Sequence, residues 1–363
     1  MNHLRSNLWL LGLTLLLCCV VYPAFLLGVG KAVFSDKADG SLVRDPRGNP
    51  IGSRLIAQPF SGDEWFQPRP SAVGYNAAAT GGSNWGSANA MLRDRVARQL
   101  GPIVKYAGGS KKGSPVGPDV EKWFQEDRFA GKAGIVAQWA GMHSGFAANW
   151  AKADPMNAAY ITAWQETHAG AVAEWRKANP DAGDPKPEDL AGAFFADFSK
   201  EHPGKFPSAV ERPAADGKTE KTIEPVSGGT DIQSIFFDMW RQDHADADLE
   251  PVPADMVMAS GSGIDPHITL KNALYQLDRV AAKRADRFRQ DKARIRGEIE
   301  TLLREKSEAP LHGIAGVAMV NVLEINLALR ERFEAAGRTD FSAAHTSTMA
   351  GIPGSGDNRR NVR

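Results

Sequence analysis

From residue 6 to residue 30 the chain carries no charged side chain, and residues 8–30 are almost wholly apolar. At a rise of about 1.5 Å per residue, a helix of this length spans the roughly 30 Å hydrocarbon core of a bilayer. A cleaved signal peptide would carry an apolar region of roughly 7–15 residues followed by an A-x-A-like site. Neither is present, and the bulky Leu17 precedes Cys18 where a lipoprotein signal wants a small residue. The stretch therefore reads as an uncleaved anchor over residues 8–30 behind a stub of residues 1–7. Arg5 flanks one side while Lys31 and Lys37 flank the other, so positive-inside bias says little about orientation. The short leader favours a cytoplasmic stub and an extracytoplasmic domain.

The remaining chain is long enough for two ordinary domains, or for one domain with a large insertion, within a total of 363 residues. Lys and Arg together number 43, as do Asp and Glu, so bulk attraction to nucleic acid is not a theme and no nucleic-acid partner is expected. Cys18 and Cys19 both sit inside the apolar run. The part beyond it has no thiol for a disulfide, a Cys-based zinc site or a nucleophile.

Turn formers at Asp45-Pro46-Arg47-Gly48-Asn49-Pro50 predict a hairpin, residues 41–44 against roughly 51–57. Residues 59–89 are rich in Gly, Pro, Ser and Asn; an ordered loop of that length tends to be functional or to wrap a surface. Met91, Leu92, Val96 and Leu100 then mark a helix capped by Ser87 or Asn89. Residues 101–251 hold six of the nine tryptophans among alanine-rich helical stretches. Tyr160, Trp164, His168, Ala171 and Trp175 share one helix face, read as core-facing. Residues 179–190 and 211–230 read as connectors. From residue 252 a short β-prone piece leads through a Ser-Gly loop into one long helix. Asp265-Pro266 or Thr269 is the start, with an apolar face from Leu270 to Leu302 and an opposite basic face, Arg279, Lys283, Arg284, Arg287 and Lys292, read as solvated. A last apolar stretch, "VAMVNVLEINLAL", is followed from about residue 335 by a small, polar, disordered tail.

Chemistry is sparse. "TGGSNWGSAN" at 80–89 invites a phosphate cradle, yet no Lys follows Gly86 and the G-x-G-x-x-G spacing fails. Ser262, Asp265 and His267 supply the residue types of a hydrolase triad, but Ser260 spoils G-x-S-x-G and three neighbours in one loop form such a relay poorly. No two histidines are spaced for a shared site, so a metal centre would have to be assembled from remote segments; none is assigned, nor is any catalytic residue. Two glycine-serine loops without a catalytic group favour a binding or scaffold subunit over an enzyme. The alternatives are a membrane-anchored adhesion or ligand-binding module carried by the Trp-rich block and a serine hydrolase.

The pieces "GSLV", "GSRLIAQPF", "WFQPRPSAVGYNAAATGGSNWGSAN", "VPADMVMASGSGIDPHIT" and "VNVLEINLAL", following an anchor with Tyr22-Pro23, occur in the order that resembles the C subunit of the Kdp potassium-transporting ATPase. They cover about residues 1–100 and 252–330, leaving the Trp-rich block as an insertion. With the anchor and hairpin, the expected fold is an α+β extracytoplasmic domain split into residues 31–100 and 252–334, with a mainly helical insertion at 101–251 and a tail at 335–363. The resemblance implies a single-pass subunit of the inner membrane, assembled with a channel-like A subunit, a P-type ATPase B subunit and a small F-type membrane subunit. It also implies a part in raising the pump subunit's affinity for ATP. ATP and potassium then belong to the complex, and no cofactor is assigned to this chain. The motif residues implied as partner-binding are Gln58; Arg69, Pro70, Ser71, Tyr75 and Asn76; Gly81, Gly82, Ser83 and Asn84; Ser260, Gly261, Ser262 and Gly263; Asp265, Pro266 and His267; and Asn321.

Overall fold

A computed structural model describes residues 2–127, 134–213, 219–314 and 316–334. Helices α1 (Asn2–Leu16) and α2 (Tyr22–Val33) run on through a π-helical turn, Leu17–Val21, and His3–Val33 is long and apolar enough to cross a membrane. Its apolar side chains are exposed on all sides, an arrangement suited to hydrocarbon rather than to a surface helix, which hides one stripe. A short α3 (Ser35–Ala38) leads to β1 (Leu42–Arg44) and β2 (Pro50–Ser53), antiparallel with Leu42 opposite Ser53. The expected hairpin is present. Asp45 closes its turn, the carboxylate accepting from the Arg47 and Asn49 amides at 2.9 and 2.8 Å.

Helix α4 (Ala90–Leu100) starts at Asn89, whose Oδ1 accepts from the Met91 amide at 2.8 Å. It is followed by α5 (Gly117–Glu126), α6 (Ile135–Met142), α7 (Ser144–Ala153), α8 (Pro155–Thr167), α9 (Ala169–Ala178) and α10 (Pro187–Glu201). The single face expected through 160–175 belongs to two helices, because His168 leaves helical geometry between α8 and α9. Residues 211–230, expected to be a connector, lie mostly in an antiparallel pair, β3 (Phe206–Pro213) and β4 (Thr219–Val226). There Glu211 faces Lys221 across the strands with an ion pair of 3.2 Å. The Pro- and Gly-rich composition masked these strands, whose pairing is not a local property. Likewise residue 187 already opens α10, so the connector at 179–190 is shorter than expected. After α11 (Thr230–Asp243) the piece expected to be β-prone is a helical turn, α12 (Ala254–Val257).

Strand β5 (His267–Thr269) precedes α13 (Leu270–Phe288) and α14 (Lys292–Lys306). The cap of α13 is Thr269, whose Oγ1 accepts from the Asn272 amide at 3.0 Å, not Asp265, because β5 intervenes. The one long helix is two: Arg289 takes the left-handed conformation at φ 51°, and Asp291 caps the second helix. The chain then forms β6 (Met319–Asn321), paired antiparallel with β5, and α15 (Val322–Glu334). The tail from residue 335 lies outside the described residues.

The fold is mixed, helices with three two-stranded sheets among the described residues. It divides into two compact units, Met1–Gly81 with Ser260–Arg363, and Gly82–Ala259. These borders fall inside the blocks 31–100 and 252–334, so that α4 and α12 pack in the second unit. The first unit's core is built from Phe66 and the apolar faces of α13, α14 and α15, including Leu277, Ile299, Leu303, Ile325 and Leu329. The second unit's core is aromatic. Trp139 meets the edges of Phe195 and Phe206 at 5.2 and 5.7 Å, and Phe124 lies 4.5 Å from Phe236. Tyr160, Trp164 and Trp175 pack against this core, as expected for a core-facing stripe. Burial of about 1.5–3 kcal/mol per large side chain, with about 0.5–1.5 kcal/mol for each well-oriented ring pair, makes this packing the main adhesive of the unit.

Candidate functional site: two interlocked loops

Residues 59–81 have almost no regular structure, so their backbone amides and carbonyls need partners elsewhere. Side chains of α13 and α15 supply them. Asn326 on α15 reads Phe66 as a paired strand would, its Oδ1 accepting from the Phe66 amide and its Nδ2 donating to the Phe66 carbonyl, both at 2.9 Å. Gln276 on α13 does the same for Gln67 at 2.8 and 3.1 Å, and its Nε2 also donates to Asn272 at 2.7 Å. Arg279 donates to the carbonyls of Asp63 and Trp65, and Arg284 to that of Glu64, while the Arg284 guanidinium lies 4.7 Å over the Trp65 ring. Burial pushes the Arg279 pKa down, opposed by the charges of Asp63 and Glu64. Arg279 and Arg284, read in the sequence only as part of a solvated basic face, are turned onto the strap instead, with Arg284 fully buried, while Asn272, Gln276 and Asn326 were not singled out. Their signal was polar residues on an otherwise apolar face: Asn272 and Gln276 beside Leu277, and Asn326 within "EINLAL".

The strap so fixed carries the first loop against the second, residues 260–267. The Ser71 hydroxyl donates to the Gly263 carbonyl at 2.6 Å and accepts from the Val73 and Tyr75 amides at 3.2 and 2.9 Å. Tyr75 donates its own hydroxyl back to the Arg69 carbonyl at 2.9 Å, and burial raises its pKa. The Ser260 amide donates to the Pro70 carbonyl at 3.1 Å, and the Gly81 amide to the Ser262 carbonyl at 2.8 Å. Gly263 is at φ 71°, and a Cβ there would stand 2.5 Å from Val73 Cγ2 and 2.7 Å from the Gly81 carbonyl oxygen. Only glycine meets both conditions.

Asp265 organises the far end of the second loop. Its carboxylate accepts from the His267 amide at 3.0 Å, lies 3.3 Å from His267 Nδ1, and faces Arg69 at 3.5 Å. The His267 hydrogen bond holds the Asp265 pKa below the ordinary carboxylate value despite partial burial, with Arg69 adding to the effect. Reciprocally, Asp265 raises the His267 pKa. The Pro266 carbonyl accepts from the Val322 amide at 2.9 Å, and Asn321 caps α15 while donating to the Arg54 carbonyl at 2.9 Å. The Ser262 hydroxyl accepts from the Ile264 amide at 3.2 Å, and the His267 ring is turned to Asp265. The three triad residue types thus share a loop without a Ser-to-His hydrogen bond among the described residues.

Thus Arg69, Pro70, Ser71, Tyr75, Gly81, Ser260, Ser262, Gly263, Asp265, Pro266 and His267 come together in the first unit, with Asn321 adjoining. Gln58 stands apart, in a shallow crevice with Ile51, Phe60, Trp65 and Leu323. Asn76 is exposed, its Oδ1 accepting from the Ala78 amide. Gly261 is also exposed, with open space where a Cβ would go. Gly82, Ser83 and Asn84 belong to the second unit. Gly263 and Gly74 both take left-handed φ values, 71° and 60°, but only Gly263 is also crowded; Gly81 has room for a Cβ, whose nearest neighbour would be Val73 Cγ1 at 3.9 Å.

A family profile described as the K+-transporting ATPase, c chain, matches residues 4–120 and 232–331, more than half of the chain. This chain belongs to the KdpC family. Both interlocked loops fall inside the matched KdpC segments, and residues 121–231 fall between them. Similar curated proteins carry the name potassium-transporting ATPase KdpC subunit. That of Geobacter sulfurreducens is 49% identical over 103 residues, 28% of this chain and 54% of the relative. That of Pseudomonas savastanoi pv. phaseolicola is 39% identical over 142 residues, 38% and 73% respectively. That of Caulobacter vibrioides is 37% identical over 148 residues, 37% and 75%. The matched part thus spans about half the length of the Geobacter KdpC relative and about three quarters of the other two.

Proposed function

We propose that this chain is a non-catalytic accessory subunit of an ATP-driven, high-affinity potassium uptake complex, held by one membrane-spanning helix with its folded mass extracytoplasmic. The observation that carries the reading is the interlock of the loops at 69–81 and 260–267. Within the segments matched by the KdpC family, the Asn326, Gln276 and Ser71 hydrogen bonds join the strap around residues 66–75 to residues 263–326 in one half-exposed surface of the first unit. A surface of fixed backbone and small hydroxyls suits docking on another protein. The names of the relatives supply the complex, and the partners are a channel-like subunit and a P-type ATPase subunit. A domain on the far side of the bilayer from ATP raises the pump's ATP affinity only through a coupling free energy between the subunits.

The test is co-purification of the full chain with the two large subunits, together with potassium uptake at low external potassium, for the wild type and for Gly263→Val. Loss of both in the variant while its anchor still inserts supports the reading. Failure of the wild-type chain to co-purify, or undiminished uptake after removal of the whole chain, would sink it. Protease accessibility in intact spheroplasts tests the orientation: cleavage from outside is expected, and complete protection overturns it.

A further inference from the structure

In the second unit, outside the segments matched by the family, His168 meets two carboxylates of α10. Asp197 and Glu201 are four residues apart and so share one helix face. One donor atom from each of the three residues lies within 4.8 Å of the others. We propose that His168, Asp197 and Glu201 form a binding site for a divalent transition-metal ion of the zinc class.

The argument starts from the imidazole. Its Nδ1 lies 2.8 Å from both the Trp164 carbonyl oxygen, which can only accept, and the Thr167 hydroxyl, which donates to that same carbonyl at 2.9 Å; both contacts favour the tautomer with the hydrogen on Nδ1. In the neutral ring Nε2 is then a bare lone pair, and it points at Asp197 Oδ2 from 2.9 Å. In that tautomer two acceptors at this distance need a shared cation, either a second proton on the ring or a metal ion. The two differ in what they ask of the neighbours. A proton on the ring balances the two carboxylates only together with Lys200, whose exposed Nζ stands 3.8 Å from Asp197. A divalent ion with neutral His168 balances both carboxylates without Lys200.

The surroundings are those that orient a metal-binding histidine. The carbonyl contact sets the tautomer, and the Trp164 ring stacks on the imidazole at 4.6 Å and 16°, fixing its plane. The Trp164 indole N–H lies 3.3 Å from Asp197 Oδ2, steering the carboxylate. Donors held about 2.0–2.2 Å from a zinc ion stand about 3–3.5 Å apart, close to the His168–Asp197 spacing. Glu201 is exposed and long enough to close on the ion, leaving a position for water. One imidazole among the donors selects a zinc-class ion over magnesium or calcium.

The experiment uses the tag-free full chain in detergent, stripped with a chelator and titrated with Zn2+ by calorimetry and with Co2+ by visible absorption. One saturating equivalent with tetrahedral-type cobalt bands is expected. Glu201→Gln, at an exposed position that leaves the fold intact, is expected to weaken Zn2+ binding by about 10-fold or more, and His168→Asn by about 100-fold or more. Trp164→Phe keeps the ring stack without the indole N–H and is expected to weaken binding by about 10-fold. Circular dichroism of each variant separates lost binding from lost fold. An absence of saturable Zn2+ and Co2+ binding overturns the proposal, leaving a protonated His168–Asp197 ion pair. Binding that survives unchanged in both Glu201→Gln and a folded His168→Asn variant also overturns it. Neither outcome bears on the transport reading.

Discussion

Gly263 is the residue on which the loop interlock is most exposed to a single change. Gly263→Ala introduces a Cβ at φ 71°, where an L residue costs about 1–2 kcal/mol. That Cβ also stands 2.5 Å from Val73 Cγ2 and 2.7 Å from the Gly81 carbonyl oxygen, distances that force one loop off the other. Such overpacking costs about 1–3 kcal/mol. Together the two effects place the loss at about 2–5 kcal/mol, concentrated in contacts between residues 69–81 and 260–264. Native-state hydrogen exchange by mass spectrometry reads it directly. The amides of Ser260 and Gly81, which donate across the interlock, should exchange about 30- to 4,000-fold faster in the variant, up to the limit of global unfolding. Gly261→Ala is the internal control, since its Cβ meets open space and its φ is ordinary; it should change stability by less than about 0.5 kcal/mol. Exchange at Ser260 and Gly81 that is unchanged in Gly263→Ala, or equally accelerated in Gly261→Ala, would refute the reasoning.

Asn326→Leu keeps the side-chain volume but strips the buried Phe66 amide and carbonyl of their partners, an expected loss of about 2–5 kcal/mol in urea unfolding of the first unit. Arg289→Gly should stabilise by about 1 kcal/mol, because the left-handed cap between α13 and α14 no longer strains a side chain; a lower unfolding midpoint would contradict this. The Asp265–His267 pair sets a pH window. The raised His267 pKa gives stability fully present below the unfolded histidine value and lost as pH rises through the folded value. The lowered Asp265 pKa gives stability present above the unfolded carboxyl value and lost as pH falls through the folded one. The stability difference between wild type and His267→Gln should therefore be largest in mildly acidic solution and shrink toward either extreme; a difference flat with pH would count against the pair.

Local chemistry was legible wherever cause and effect lie within a turn or two. Asp45 closes its own hairpin four residues on, Asn89 caps the helix it precedes, and the uncharged run from residue 6 declares its solvent by itself. The motif blocks were also legible, since residue identity in fixed order marks them as KdpC-like without any knowledge of where they meet. The misread elements are those whose decisive partner is not adjacent. The β3–β4 pair is made by cross-strand register, and the break at Arg289 by the need of α14 to fold back on α13 rather than continue it.

What the amino-acid order alone determined was therefore the membrane-length helix, the cap and turn chemistry and the family. Tertiary structure alone decided that Phe66 is read by Asn326, that Gly263 rather than Gly81 is the glycine without alternatives, and that His168 stands before Asp197 and Glu201. The reason is range: a hydrogen bond or a steric clash acts over a few ångströms of space. Across 260 residues of chain only the packed core brings the two ends of such an interaction together.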